Sequence, residues 1–392
     1  MNNEQILLKD GVDIWVAPGR VIETSNSEPL IIDNVGGYTS AVNVSITGNG
    51  IFRNTNAKYG CIKMTNSGSK VSINCDSLEN AADDNTSLEG SNIYIVNASK
   101  FHLMCDRISN ANQRAIYFAN EVGDININAN IIENGNIEGG DTISLKGSGF
   151  LNVNEVICNN DGSCLNFKAG TLIANILKLT TIDAHLSTAG TVQLSGGTET
   201  QNLTLYFDEI QNLSTSGGDG VNASEGTLNL FGRRIFSATG MSMDLATNAD
   251  ILVDEIISEV NGINIHNGST QKIIIDSNYI EGSNGNDGVI KSVNGSNYIL
   301  RNAKVKNTYL SSPSIGIYID TGSQTIEIEN LIIVTGTETT DFSIFRNSTT
   351  NIDIKNLGLF VKKAISLHIT LKIGTGTGTG ENFKYIISND IT

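Results

Sequence analysis

The chain is short of proline, with 3 residues in 392, and it has a single tryptophan and five cysteines. So little proline excludes collagen-like and polyproline-rich architectures. An odd set of cysteines (Cys61, Cys75, Cys105, Cys158, Cys164), placed mostly inside apolar alternation, argues against a disulfide framework and fits reduced core thiols. No stretch approaches the roughly 18 consecutive apolar residues of a membrane span, so membrane insertion is not expected. The opening MNNEQILLKDGVDIW lacks the basic-then-apolar pattern of a secretory signal, which points to synthesis in a cytoplasm. Basic residues are scarce as well: 25 Lys and Arg against 41 Asp and Glu leave a net charge of −16. Nucleic acid and anionic membranes are recognised by basic clusters, so neither is an expected partner.

What the chain has in quantity is glycine, 40 residues, together with many asparagines, and 39% hydrophobic residues that alternate with polar ones. Gly and Asn tolerate left-handed turn conformations, and Ile and Val between them favour short strands. One phrase recurs, an apolar-x-apolar run closed by Asp or Asn: SINCDSL, HLMCDRI, LYFDEI, ILVDEI and IIIDSNYI. Looser copies run from Ile46 to Ile354 at a spacing of about 26 residues. A second phrase, apolar-x-apolar before a Gly or Ser turn, falls between them, as in CIKMTNSGS, TISLKGSG, GINIHNGS and GIYIDTGS. A unit this short cannot bury its apolar face alone, so coils must stack strand on strand. The pattern predicts an all-β, right-handed parallel β-helix of about 12 coils, handedness following the general preference of parallel crossovers. Residues 1–40 read as an N-terminal cap with its first strands, 41–358 as the helix, and 359–392 as a C-terminal cap or assembly segment. Its GTGTGTG linker covers 374–380, and residues 381–392 would close the solenoid or dock on another chain.

The opening segment carries a resemblance. Pro18-Gly19, Pro29-Leu30 and Val44-Ser45-Ile46-Thr47-Gly48-Asn49-Gly50-Ile51 fill the places of an apolar strand, Pro-Gly, "P-L-x-I" and "V-x-I-x-G-x-G-x-I". This resembles the start of pectate-lyase-like right-handed parallel β-helices, and the coil pattern extends the likeness over residues 10–360. In character the chain is closest to phage tailspike and fibre β-helices, a resemblance that implies a homotrimer. The superfamily includes lyases, hydrolases and adhesins, so the fold does not name the function.

Candidate chemistry is sparse. A column of Asp76, Asp106, Asn130, Asn154, Asn175, Asp208, Asp254 and Asp276 could gather oxygen ligands for Ca²⁺, with Asp76 and Asp106 the metal candidates. Asp and Asn also cap turns, and the turn-ladder reading is preferred, with no cofactor expected and Ca²⁺ possible. Asp-Gly and Asn-Gly steps, including Asp219-Gly220, read as turns. Catalytic candidates are the acid pair Asp83 and Asp84, and the Asp183 and His185 of TTIDAHL. Glycoside hydrolysis needs two carboxyls about 5 to 9.5 Å apart, one of raised pKa. The N-T-D, G-H-G and R-I-K segments that accompany the acid pair in similar polygalacturonase-like enzymes are missing. The expectation is therefore a virion-associated structural protein of tailspike, fibre or appendage type that meets a cell-surface polysaccharide or glycan and other virion proteins. A polysaccharide lyase or glycoside hydrolase is the first alternative. A bacterial surface adhesin, extracellular or on the cell surface, is the second.

Overall fold

The computed structural model describes residues 5–361 except 26–27, 35–39, 57–58, 82–87, 112, 136–139, 160–161, 183–189, 196–199, 261, 267–270, 286, 294–295, 312–313, 321–324, 336–341 and 347–350. The chain is all-β and forms a parallel β-solenoid of about 11 turns, against the about 12 coils expected. Among the described residues the helical content is one short 3₁₀ turn, Leu88–Gly90. The solenoid divides into two compact units, residues 1–207 and 208–392.

In the middle coils of the first unit a long strand alternates with a short one, and in Ile143–Cys158 and Leu165–Thr181 the two run together. The strand Lys70–Asn80 shows the logic: Val71, Ile73 and Cys75 point inward, and then Leu78 and Asn80 do. The inward phase slips at Asp76-Ser77, because the chain turns a corner there. Lys70–Asn80 pairs in parallel with Lys100–Asn110, which pairs with Val122–Asn134, and that with Ile143–Cys158. Like side chains stack, so Ile73, Leu103, Ile127 and Leu151 make one buried column. The short strands Ile62–Met64, Ile93–Ile95 and Ile116–Phe118 make a second stack. Phe101 meets Phe118 edge-on, ring centroids 5.7 Å apart, closing the core between the two walls. All five cysteines are buried free thiols, as expected from their apolar settings. Cys61 shows the consequence, its pKa pushed up to about 12 by burial.

The second unit repeats the arrangement. Thr227–Ser237 pairs with Asn248–Ser258, and beyond that the long strand splits at its corner into Ile273–Asp276 and Tyr279–Gly282. Further along, Asn302 (φ 58) and Asn330 (φ 52) take the left-handed conformation at that corner, which Asn tolerates better than other non-glycine residues. Asn330 Nδ2 donates to Asn302 Oδ1 at 3.0 Å, and Asn302 Nδ2 to Asp276 Oδ1 at 2.9 Å.

This register corrects the expected Asp/Asn column. Asn152, not Asn154, lies opposite Asn175, and Leu252, not Asp254, lies opposite Asp276. The sequence column therefore mixes two positions that differ by two residues. Both have the same inward and outward alternation, so periodicity cannot tell them apart. The contacts at this corner run side chain to side chain between coils: Asn154 Nδ2 donates to Asn130 Oδ1 at 2.8 Å and Asn278 Nδ2 to Asp254 Oδ1 at 2.9 Å.

A different ladder lies inside, at the end of each long strand. Asn54, Asn80, Asn110 and Asn134 stack in register through their strands and are nearly fully buried. Asn110 Nδ2 donates to the carbonyls of Gly90 (2.8 Å) and Arg114 (2.9 Å), while its Oδ1 accepts Gln113 N–H at 3.1 Å. Asn134 serves Gly140 O in the same way, and the Cys158 thiol replaces the amide one coil on, donating to Gly162 O at 3.2 Å. The turn that follows lies tight against its neighbour: a Cβ on Gly135 would sit 1.2 Å from Ala111 O. In the second unit Asn212 donates to Asp219 O at 3.0 Å, Ser237 to Gly218 O at 3.1 Å and Ser258 to Gly240 O at 2.8 Å.

Asn110→Ala is expected to cost about 3 kcal/mol, because each buried group left unpaired costs roughly 1–3 kcal/mol. Asp106→Ala, at an exposed corner of the same strand, should stay within about 0.5 kcal/mol. Urea unfolding of both variants checks this; equal midpoints would mean the ladder is ornamental.

Candidate functional sites

Outward residues of the short strands form one row per unit. In the first unit the row runs Lys63, Tyr94, Tyr117, Ser144, Asn166, Gln193, each in register with the next. The inward neighbours fix it: Ile93 and Ile95 are buried around Tyr94, and Ile116 and Phe118 around Tyr117. Alternation then leaves the tyrosines facing outward. Their rings are parallel within 6° and 5.8 Å apart between centroids, an offset stack. Lys63 Nζ lies 5.9 Å from the Tyr94 ring and is held by Glu89 Oε1 at 2.7 Å. The Arg114 guanidinium lies 5.2 Å from the Tyr117 ring. Burial, then the Glu89 charge and Tyr117, push the Tyr94 phenol up, so it stays protonated and able to donate.

Beyond Tyr117 the row turns polar and closed. Asp141 accepts Asn166 Nδ2 at 3.0 Å and Ser163 N–H at 3.3 Å, and Ser163 Oγ donates to Gln193 Oε1 at 3.0 Å. Among the described residues Ser144 Oγ, Asn166 Oδ1 and Arg114 Nε are buried with no hydrogen-bond partner. Lys168 is half-buried, and burial pulls its pKa down.

The second unit's row runs Asn222, Asp244, Asn264, Lys291, Tyr318. Asp244 Oδ1 accepts Asn264 Nδ2 at 2.9 Å and faces His266 Nε2 at 2.8 Å. That hydrogen bond raises the His266 pKa, against an opposing effect of burial. Asp219 is 9% exposed and accepts Met241 N–H at 2.9 Å and Asn222 Nδ2 at 3.3 Å. Burial pushes its pKa up to about 6, with the Asp244 charge adding to the rise. A buried acid near a second carboxylate, which in turn meets an imidazole, can give and take a proton near neutral pH.

The sequence candidates fare differently. Asp83, Asp84, Asp183 and His185 all lie outside the described residues. Asp76 and Asp106 sit at the corner of adjacent coils, Asp76 half-buried and Asp106 exposed. Among the described residues no three His, Cys, Asp or Glu side chains converge as a metal site, so this pair gains no third ligand. Asp208 is engaged by Arg233 at 2.8 and 3.2 Å. A groove of about 410 Å³ beside the asparagine ladder is lined by Arg53, Glu79, Ser109 and Glu133 among others. Its Arg53 is already held between Glu79 (2.7 Å) and Glu23 (3.3 Å). The Asp219-Gly220 step reads in the sequence as a turn, and nothing in the sequence singles out His266. The spacing of Asp244 and His266, two apart across a pair of aligned short strands, is the signal that could have joined them. Among the described residues no helix is long and apolar enough to cross a membrane. No protein-family profile, curated protein or solved structure matches the chain.

The shifts of Asp219 and His266 act in one direction. An acid whose folded pKa lies above its ordinary 3.8 stabilises the fold below that value, and the contribution is lost as pH rises through about 6. A histidine with a raised pKa stabilises below its ordinary 6.5 and loses this as pH passes the folded value. Asp219→Asn keeps an oxygen for Met241 N–H and removes the titration. Relative to wild type it should gain stability between pH 4 and pH 7, on the order of 3 kcal/mol at most from 1.36 kcal/mol per unit. Paired melts across that range check it, and a constant difference would show that Asp219 ionises freely.

Proposed function

We propose that the chain is a glycan-recognition solenoid of the attachment type, a tailspike, fibre or appendage component that meets a cell-surface polysaccharide. The observation that carries this reading is the in-register row in the first unit, where stacked Tyr94 and Tyr117 continue into Ser144, Asn166 and Gln193. A sugar ring has apolar C–H faces and a rim of hydroxyls. The half-exposed phenol rings of Tyr94 and Tyr117 and the half-exposed amide of Gln193 offer both kinds of contact, on a backbone fixed by sheet pairing, while Ser144 and Asn166 between them are covered. Successive coils repeat the row at about 4.8 Å, which suits a chain of sugar residues running along it. Assembly as a trimer and attachment to other virion proteins belong to this reading through the tailspike resemblance alone.

Tyr117→Ala should weaken binding to a responsive glycan on a bacterial polysaccharide array by about tenfold, a loss of roughly 1.4 kcal/mol, with melting temperature nearly unchanged. Undiminished binding would sink the row as the contact surface.

A second reading, a polysaccharide hydrolase or lyase, is favoured by one observation: the Asp219, Asp244 and His266 cluster, with its raised acid. The two readings part on turnover. Attachment predicts no new reducing ends or unsaturated sugars when the protein is incubated with a polysaccharide it binds. Release that disappears in Asp219→Asn would establish the enzyme instead.

A further inference from the structure

Two of the five thiols meet across adjacent coils. Cys75 and Cys105 stand opposite one another in the parallel register of Lys70–Asn80 and Lys100–Asn110, 30 residues apart in the chain. Both are buried just before the corner of the long wall, and their Sγ atoms lie 3.5 Å apart. The other three cysteines are engaged with backbone carbonyls: Cys61 donates to Phe52 O and Glu79 O, Cys158 to Gly162 O, and Cys164 to Val156 O. They are also sealed, each 0% exposed, whereas Cys75 is 4% and Cys105 5% exposed. That small opening lies at the corner, where Met104, Asp106 and Arg107 around Cys105 are all exposed.

Packing alone does not ask for sulfur here. The next two coils place Ala129 and Val153 at the same position of the column, and both are buried. What the sulfurs add is reactivity toward each other. In-register residues of parallel neighbours have Cα atoms about 4.8 Å apart, inside the roughly 4.4–6.8 Å that a disulfide spans. Closing the 3.5 Å gap to about 2.05 Å therefore needs side-chain movement and no change of register. The opening also selects the oxidant. A bulky organic disulfide cannot reach sulfurs so covered, while hydrogen peroxide is scarcely larger than water. The hydrogen bond to Cys105, and then burial, push the Cys75 pKa up, which keeps Cys75 a thiol while Cys105 reacts first.

We propose that Cys75 and Cys105 form a site of reversible oxidation, which peroxide converts into a disulfide that staples one coil to the next. Cys105 Sγ attacks a peroxide oxygen, the O–O bond breaks, and the thiol proton leaves with the departing hydroxide as water. Cys75 Sγ then attacks the sulfenic sulfur, forming S–S and breaking S–O, and its proton leaves in a second water. Two thiols and one hydrogen peroxide thus give one disulfide and two waters. The link ties neighbours in an array whose stability accumulates coil by coil, and it constrains the unfolded chain. It stands apart from the glycan reading, because neither cysteine belongs to the short-wall row.

The test treats the folded full chain with hydrogen peroxide until Met104, 57% exposed and next to Cys105, has become its sulfoxide. Peptide mapping by mass spectrometry should then show one link within the chain, Cys75 to Cys105, lighter by two hydrogen atoms and reversed by dithiothreitol. Cys61, Cys158 and Cys164 should remain thiols. The oxidised chain should unfold at a urea midpoint higher by about 0.5 M than the reduced one. In Cys75→Ala, a side chain this column already accepts at Ala129, Cys105 should gain oxygen as sulfenic or sulfinic acid and form no link. Met104 sulfoxide with all five thiols intact would overturn the proposal, and so would links that join two chains or involve Cys61. A Cys75–Cys105 link that leaves the midpoint unchanged or lower would overturn the staple. An unreacted Cys105 in Cys75→Ala would overturn its place as the first sulfur to react.

Discussion

A buried side-chain donor at the end of the long strands, most often an asparagine amide, is the constraint on which the rest of this solenoid depends. Wherever the chain leaves the long wall for the short one, its carbonyls have no strand partner to accept from. Water is excluded there, so a side chain must supply the donors. Asn54, Asn80, Asn110 and Asn134 do so in the first unit, and Asn212, Ser237 and Ser258 in the second. The turn that results is tight, which is why Gly135 has no room for a side chain against Ala111 O. The same hydrogen bonds fix the residue just before the outward row. Asn110 holds the carbonyl of Arg114, and Asn212 holds that of Asp219. The two residues most unlike their surroundings in charge and burial thus occupy one place in the coil, each anchored by its own backbone.

This arrangement separates the positions that hold the coils together from those free to vary. Inward positions are tied to the coils on either side, so their chemistry is nearly invariant: Ile, Leu, Val, Phe and Cys. Outward positions of the long wall carry ion pairs between successive coils, as with Arg107 and Glu133, or Lys178 and Glu155 at 3.6 Å. Such pairs are partly exposed and contribute little to stability, although they keep like charges from stacking along the ladder. The short wall is different. Its outward rows carry stacked tyrosines in one unit and, in the other, an aspartate that meets a histidine and lies near a buried acid.

The fold was legible because a solenoid repeats its core, so about eleven copies of a weak signal add up. Register was less legible: apolar residues two apart are equivalent in a strand, which is why Asn175 and Asp276 were aligned with the wrong partners. The site was nearly illegible. Tyr94 and Tyr117 sit in IYI and IYF, which alternate like any half-buried strand, and only stacking one coil on the next brings them together. Asp219 in a Gly-containing turn has the signature of a turn residue, and its burial comes from neighbours distant in sequence. Lys168 became unusual through a one-residue bulge, which no periodicity announces.

Why a folded chain should keep Lys168 half-buried is an energetic question. Half-burying an ammonium opposes folding, and leaving Ser144 Oγ and Asn166 Oδ1 unpaired adds to the cost. A small domain would feel these losses against a stability of about 5–15 kcal/mol. A solenoid distributes them, because each coil is braced by in-register columns on both sides and stability accumulates coil by coil. The tolerance explains how such groups survive, not why they are present. Sequences that satisfy local rules everywhere else tend to break them where a site is built. In this chain such breaks fall at Ser144, Asn166 and Asn264 of the short-wall rows and also away from them, at Thr180 and Gln201, so an unpaired atom by itself does not mark the proposed contact row.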